Sequence, residues 1–234
     1  HIKSSSIHTP ERIEEIKSNP WDYNINPEYI EINFSNECNF KCGYCHPKFS
    51  TRYYNEIKQH GPYKDVTAHS NNIDWFKLYE EDDNPYLEAW WKWWPEVSKT
   101  LNILRITGGE PLQLPNHWKL IDKIPKEHAK NIKLVYDTNL TELRYKNHSV
   151  YDIEDKFKSV YWGVSCDHFE DKLSWIRYPI DVKQFEKNLK EMLDSGFNAN
   201  ISCTISLLNV FDLIDINNYY KNKFGANVHF NSIV

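Results

Sequence analysis

The chain has 234 residues, a formal net charge of -5 and 26% charged residues. This length allows a single domain with a sizeable core, and α/β barrels of this size occur as one domain. No stretch reaches the roughly 18 consecutive apolar residues of a membrane span, which argues against membrane insertion. The acidic balance argues against a general nucleic-acid surface. The odd count of 5 cysteines and the lack of a secretion signal pattern predict a cytoplasmic protein.

Short β-branched apolar runs alternate with longer polar or amphipathic stretches, which is typical of parallel β/α units. We predict an N-terminal extension at 1–28 and six strands at 29–34, 103–107, 132–138, 160–165, 200–206 and 227–230. Helices are predicted at 118–124, 181–195 and 212–223, with Gly196 just past the end of the second. The predicted fold class is therefore α/β, a partial (β/α)6 TIM-type barrel over 29–234. A full eight-stranded barrel needs two more units, so we expect the C-terminal part to be absent from this chain.

The interval between the first two predicted strands is too long for one crossover helix, which predicts an insertion at about residues 50–100. Within it, Asn84 and Pro85 indicate the N-cap and the first residue of a helix. The sequence WWKWW at 90–94 places several indoles on this helix. We favour packing of these rings against the barrel or a neighbouring domain over stacking on a substrate.

Cys38, Cys42 and Cys45 form a CxxxCxxC pattern directly after the first predicted strand. Three thiolates at this spacing can each bind a different iron of a [4Fe-4S] cluster and leave the fourth iron without a protein ligand. A structural zinc ion takes four closed ligands, and His46 is the only nearby candidate for the fourth. The motif lies at the rim where α/β barrels carry out their chemistry, and this favours the cluster over zinc.

The sequence TGGEP at 107–111 follows the second predicted strand. Gly108 and Gly109 would let the backbone approach a ligand closely and expose N–H groups, while the carboxylate of Glu110 can accept from an ammonium group. Without the cysteines, a purely structural turn would explain this pattern equally well.

Polar residues alternate with cysteines along the fourth and fifth predicted strands. Ser165 and Asp167 face one way and Cys166 the other, while Thr204 faces away from Cys203. The polar set suits a ligand that carries hydroxyls, with Asp167 able to accept from a ribose diol. The two cysteines are predicted to be packed thiols facing the outer helices.

Other polar residues carry weaker signals. Asn139 follows the third predicted strand, where it can face a ligand or form a turn. The histidines on polar stretches are predicted to face solvent; they are His60, His69, His117, His128 and His148.

The sequence CNFKCGYC at 38–45, together with TGGEP at 107–111, resembles the radical S-adenosylmethionine (SAM) superfamily. The WWKWWPE run at 90–96 and VSCD at 164–167, followed by WIRYP at 175–179, resemble its SPASM/twitch branch. This resemblance implies that the three motif cysteines bind a [4Fe-4S] cluster whose open iron chelates SAM. Reductive cleavage of SAM would then yield a 5′-deoxyadenosyl radical that abstracts hydrogen from a peptide or a small metabolite.

The resemblance also assigns residues around SAM. It implies that Tyr44 and Leu207 lie near the adenine, that the Gly-Gly-Glu sequence receives the amino end, and that Arg177 meets the carboxylate through its planar fork. The full set of cofactor-binding candidates is Tyr44, Gly108, Gly109, Glu110, Asn139, Ser165, Asp167, Arg177, Thr204 and Leu207.

The resemblance further implies a small reductant protein, flavodoxin or ferredoxin, as a partner. The SPASM/twitch branch carries extra cysteines for auxiliary iron-sulfur clusters, and none follows Cys203, so we expect any auxiliary cluster in a missing C-terminal domain. Two alternatives stay open: a small-molecule enzyme like 7-carboxy-7-deazaguanine synthase, and a non-catalytic iron-sulfur or zinc protein. No residue at the barrel mouth identifies the substrate.

Overall fold

A computed structural model describes residues 10–20, 26–64, 73 and 84–232. Its centre is a parallel six-stranded sheet whose strands follow one another in chain order. These strands are β1 (Tyr29–Asn33), β2 (Ile103–Thr107), β3 (Lys133–Thr138), β4 (Ser159–Ser165), β5 (Ala199–Ile205) and β6 (Val228–Ser232). Sequential order with a parallel register is the arrangement of a β/α barrel, and it confirms the predicted α/β partial barrel.

Nine α-helices are described, and they include the three predicted from the sequence pattern. They are α1 (Pro10–Ser18), α2 (Thr51–His60), α3 (Pro85–Val97), α4 (Pro115–Lys123), α5 (Lys126–Ala129), α6 (Val150–Glu154), α7 (Glu170–Ile176), α8 (Val182–Asp194) and α9 (Leu213–Phe224). Among these described helices, none has the length and apolar character of a membrane span.

Helix α8 shows how local sequence sets these boundaries. The Asp181 carboxylate accepts a hydrogen bond from the Gln184 backbone N–H at 3.1 Å, which caps the first turn. Buried Phe185, Leu189 and Met192 recur at helical spacing and face the core. After Ser195, Gly196 adopts a φ of 80°, a left-handed conformation that stops the helix.

The predicted insertion contains α2 and α3; residues 65–72 and 74–83, including His69, lie outside the described residues. The Asn84 side chain accepts from the Tyr86 backbone N–H at 3.0 Å, which confirms the predicted N-cap. The Trp90 and Trp94 rings stack at 5.1 Å, and the Trp91 ring stacks on Phe34 at 6.1 Å. Trp90 and Trp91 thus pack against Phe34 at the end of β1, in agreement with the packing role.

The two faces of the sheet have opposite character. The outer face packs against helices and is fully buried, with Leu104, Leu134, Tyr136, Trp162, Val164 and Ile201 in the core. The inner face is polar and lines a cavity of about 350 Å³. Parallel strands present their alternate side chains to these two faces, so β2 to β5 each supply the core and the cavity at once.

His117 corrects the prediction that the scattered histidines face solvent. It is fully buried on α4, where its Nε2 lies 2.6 Å from the Tyr136 hydroxyl and its ring packs edge-on against Trp118. Burial lowers the pKa of His117 to about 3, so the ring is neutral in the folded chain.

Candidate functional site

The CxxxCxxC loop begins five residues after β1 and is held by its own backbone. The Lys41 and Gly43 N–H groups donate to the Tyr178 and Ile176 carbonyls at 2.8 and 2.9 Å, which fixes the loop against the end of α7. On the other side, the Cys38 N–H donates to the Thr51 hydroxyl at 3.2 Å, at the start of α2. Cys42, between the two anchors, is therefore buried, while Cys38 and Cys45 are partly exposed.

All five cysteines are free thiols, and the three of the motif lie close enough to affect one another electrostatically. Burial, with smaller contributions from the nearby Glu110, Cys42 and Cys45, raises the pKa of Cys38 to about 12. Burial likewise raises the pKa of Cys45 to about 11. These thiols would give up their protons on binding iron, because metal binding requires thiolates. Three soft sulfur donors on one loop fit an iron-sulfur cluster.

Among the described residues, no three His, Cys, Asp or Glu side chains, the motif cysteines included, meet at the spacing that a single metal ion requires. His46, the candidate fourth zinc ligand, uses its Nδ1 to accept the Lys48 N–H at 3.0 Å and so caps a short 3₁₀ helix, Pro47–Phe49.

The Gly-Gly turn after β2 packs against the loop that leads to the cysteines. The Gly109 N–H donates to the Ser35 carbonyl at 3.2 Å, and the Glu110 N–H donates to the Glu37 carbonyl at 2.8 Å. The expectation that this turn exposes its N–H groups is thus wrong for Gly109. A Cβ on Gly109 would overlap the Glu37 carbonyl, so glycine is required there for two backbones to approach, and Gly108 adopts a φ of 131°.

Glu110 is 1% exposed and accepts only from groups of this chain. One oxygen accepts from the Thr138 hydroxyl at 2.6 Å and the Leu112 N–H at 3.2 Å. The other accepts from the Asn139 N–H at 2.6 Å. Burial raises the pKa of Glu110, and these hydrogen bonds act against the rise. The carboxylate ties the end of β2 to the end of β3, and its assignment to the SAM amino group stays a prediction.

Asn139 both forms a turn and reaches the cysteine loop. Its side-chain oxygen accepts from the Thr141 N–H at 3.0 Å, and its side-chain nitrogen donates to Asn39 at 2.8 Å. Asn39 lies directly after Cys38, so this contact couples the end of β3 to the cysteine motif.

Tyr44, Asp167, Arg177 and Thr204 come together although they lie far apart in sequence. One Asp167 oxygen accepts from the Tyr44 hydroxyl at 2.6 Å and from Arg177 Nη1 at 2.8 Å, and that nitrogen also donates to the Tyr44 oxygen at 2.6 Å. The other Asp167 oxygen accepts from the Thr204 N–H at 2.8 Å. We call Tyr44, Asp167 and Arg177 the buried triad; Asp167 has no exposed surface.

The buried triad leaves a donor unused. Within the described residues, Arg177 Nε is buried without a hydrogen-bond partner, and so is the Asn36 side-chain nitrogen beside the cysteine loop. An unpaired buried donor is costly unless an acceptor reaches it. The guanidinium Nε of Arg177 is the charged one of the two, and a charged N–H donor of this kind suits an anionic acceptor such as a carboxylate.

The remaining candidates are less enclosed. Ser165 ends β4 and is partly buried, while Leu207 is 93% exposed beyond β5. Two participants were not predicted: Thr138, which donates to Glu110, and Asn209, whose side chain donates to the Asp167 carbonyl at 3.0 Å and the Thr204 carbonyl at 2.9 Å. Thr138 is the last residue of β3, next to Asn139, so its position on the strand could have predicted a role at the site. No sequence pattern predicts a role for Asn209.

Comparison with known proteins gives distant relatives that extend beyond this chain. The GTP 3′,8-cyclase of Helicobacter pylori (strain ATCC 700392 / 26695) is 23% identical over 224 residues, which cover 88% of this chain and 59% of that protein. The chain therefore spans less than two thirds of this relative's length.

Solved structures share the fold. The structure described as native anSMEcpe with bound AdoMet aligns with a TM-score of 0.56 at 18% identity, over 88% of this chain and 51% of the other. Streptococcus suis SuiB bound to the precursor peptide SuiA aligns with a TM-score of 0.52 at 15% identity, over 96% of this chain and 60% of the other.

A family model described as the radical SAM superfamily matches residues 32–219. The match includes the three motif cysteines, the Gly-Gly-Glu turn, the buried triad and strands β2 to β5. The chain thus belongs to the radical SAM superfamily.

Proposed function

We propose that this chain is the catalytic core of a radical SAM enzyme of the SPASM/twitch type. Cys38, Cys42 and Cys45 would hold a [4Fe-4S] cluster and leave one iron open for SAM. Cluster and SAM together would supply a 5′-deoxyadenosyl radical that abstracts hydrogen from the substrate. The observation that carries this proposal is the meeting of the cysteine loop, the Gly-Gly-Glu turn and the buried triad at one edge of the sheet.

The residues around that edge would bind and orient SAM. Arg177 Nε supplies an unpaired donor for the SAM carboxylate, and its partner Asp167 holds the guanidinium in place. Because both oxygens of Asp167 already accept from the chain, Ser165 is the better candidate for the ribose hydroxyls.

The polar inner face of the sheet is the candidate substrate site, and its charges are already balanced. Arg105 pairs with Asp137 at 2.5 Å and lies 3.6 Å from Glu31, so its positive charge is neutralised by the chain. Within the described residues, Lys133 is then the lining cation without an ion pair. A nucleoside triphosphate needs several free cations, so this lining favours a peptide or another substrate without multiple negative charges.

The comparisons point to both substrate classes. SuiB is described as binding a precursor peptide, which supports a peptide, whereas the GTP 3′,8-cyclases suggest a nucleotide. A nucleotide substrate is therefore our second candidate. We further propose a reducing compartment, the cytoplasm, since all five cysteines are free and two of them are buried away from the motif.

Anaerobic reconstitution with iron and sulfide tests the proposal. We expect the reconstituted chain to bind about four irons and to release 5′-deoxyadenosine when given SAM and dithionite. Cys42→Ala should lose both the cluster absorbance and the product. Cys203→Ala, at a buried cysteine outside the motif, is the matched control and should keep both.

A stable cluster with no SAM cleavage would refute the enzyme. GTP consumption, or a rate of 5′-deoxyadenosine release that rises with added GTP, would establish the second candidate in place of the peptide.

A further inference from the structure

Arg177 lies beside the cysteine loop because two backbone hydrogen bonds hold its segment there. The N–H groups of the residues on either side of Cys42 donate to the carbonyls of the residues on either side of Arg177, at 2.8 and 2.9 Å. The two segments run in opposite directions between these bonds, so Cys42 and Arg177 lie opposite each other. Both residues are buried, with 7% and 6% of their surface exposed.

The Arg177 guanidinium is a positive charge that acts on two of the motif thiols. Burial raises the pKa of Cys42, and Arg177 acts against this rise more strongly than Asp167 adds to it. On Cys45, whose pKa burial also raises, Arg177 again acts against the rise. Although Arg177 forms an ion pair with Asp167, the net electrostatic effect of the pair at Cys42 is therefore that of a positive charge.

The ion pair leaves part of the guanidinium without a partner. Arg177 Nη1 donates to Asp167 at 2.8 Å and to the Tyr44 hydroxyl at 2.6 Å. Nε is buried and, within the described residues, has no hydrogen-bond partner. A buried charge acts on its neighbours more strongly than an exposed one, because little solvent screens it. Arg177 is thus placed to act on the group that the cysteines bind.

We propose that Arg177 raises the reduction potential of the iron-sulfur cluster that the three cysteines would hold. This inference rests on the cluster of the proposed function, and it does not depend on SAM cleavage. On reduction the cluster takes one electron from a low-potential reductant, so its negative charge increases by one; no bond forms or breaks. A nearby positive charge stabilises the more negative form, and charge and burial are among the factors that set the potential of such clusters.

The ion pair allows a test by the sign of the effect. Removing the Arg177 charge leaves the Asp167 carboxylate as the charge beside Cys42, so reduction should become harder. Removing the Asp167 charge leaves the arginine uncompensated, so reduction should become easier. A purely structural role predicts the same direction for both substitutions, because both disturb the same hydrogen bonds.

The experiment is a potentiometric titration of the reconstituted chain in the absence of SAM, with the reduced cluster followed by electron paramagnetic resonance. The variants are Arg177→Met, Arg177→Lys, Asp167→Asn and Tyr44→Phe, and the bound iron is counted for each. The matched control is Lys190→Met, which removes the positive charge of an exposed ion pair with Asp194 on α8.

We expect Arg177→Met to lower the ratio of reduced to oxidised cluster at a fixed potential about tenfold, which corresponds to about 59 mV for one electron. Asp167→Asn should raise this ratio by a similar factor. Arg177→Lys keeps the charge and should stay closer to the wild type than Arg177→Met does. Tyr44→Phe removes a hydroxyl but no charge, and both it and Lys190→Met should change the ratio by about twofold or less.

Shifts in the same direction for Arg177→Met and Asp167→Asn would overturn the proposal, as would a ratio that neither variant changes. If Arg177→Met binds no iron, Asp167→Asn decides alone: a ratio that rises supports the proposal, and one that falls or stays the same overturns it. A wild-type chain that holds a cluster but cleaves no SAM refutes the enzyme and still allows the titration, so the two failures are distinguishable. A wild-type chain that assembles no cluster overturns both proposals.

Discussion

Replacing Asp167 with asparagine tests how strongly the buried triad stabilises the fold. The substitution keeps the shape but removes the charge, and it places an NH₂ group where the carboxylate accepts from Tyr44, Arg177 and the Thr204 N–H. The Asp167 and Arg177 side chains are 0% and 8% exposed, so the arginine would be left as an uncompensated buried charge. Breaking a buried pair in this way costs about 3–5 kcal/mol.

The matched control makes the same substitution at a partly exposed pair. Asp137 also accepts from an arginine, Arg105, but the two side chains are 32% and 30% exposed. Asp137→Asn should therefore cost about 1 kcal/mol or less, because solvent screens the pair. Urea unfolding of each variant under reducing conditions, followed by circular dichroism, gives both free energies of unfolding. Equal losses in the two variants would refute the reasoning that burial sets the strength of this interaction.

Two other positions give independent tests. Gly109→Ala should lower the free energy of unfolding by about 3 kcal/mol, since the added methyl group overlaps the Glu37 carbonyl. The control is Gly61→Ala, at a φ of 84° with open space around it, which should lower the free energy of unfolding by about 1 kcal/mol. Equal losses for the two variants in urea unfolding would contradict the close approach of the two backbones at Gly109. The folded-state pKa of His117 lies near 3, below its ordinary value of 6.5, so its contribution to stability is present above pH 6.5 and is lost as the pH falls toward 3. Between pH 7.5 and 5.5 the wild type should therefore lose about 1.4 kcal/mol more than His117→Gln, and parallel losses would show that this histidine is not the source.

The strand order and the position of the cysteine motif were predictable because they depend on local pattern. Alternating apolar runs give six strands, and the motif spacing places three thiols after the first. Parity along a strand also correctly predicted that Cys166 and Cys203 are buried. Such predictions need only the period of a strand and its neighbours in sequence.

Hydrogen-bond partners distant in sequence were not predictable. The Asp167 carboxylate was expected to face a ligand, yet it accepts from Tyr44, a residue 123 positions earlier. Glu110 is similarly satisfied by Thr138 and Asn139 on the next strand. His117 was expected to face solvent, but it is buried, and its Nε2 lies 2.6 Å from the Tyr136 hydroxyl, 19 positions later in the chain. Each of these hydrogen bonds depends on which strands and loops lie side by side in the folded chain. The hydrophobic pattern of the sequence does not contain that information.

The linear order of the sheet predicts a gradient of amide hydrogen exchange across it. β3 and β4 lie in the middle, with a neighbour on each side and mostly buried side chains, whereas β6 is an end strand whose residues 229–232 are all exposed. Amides whose hydrogen bonds break only on global unfolding exchange slowest, and those at a frayed edge exchange early. β6 should thus open first, which makes it the part of the sheet most readily remodelled when another polypeptide approaches.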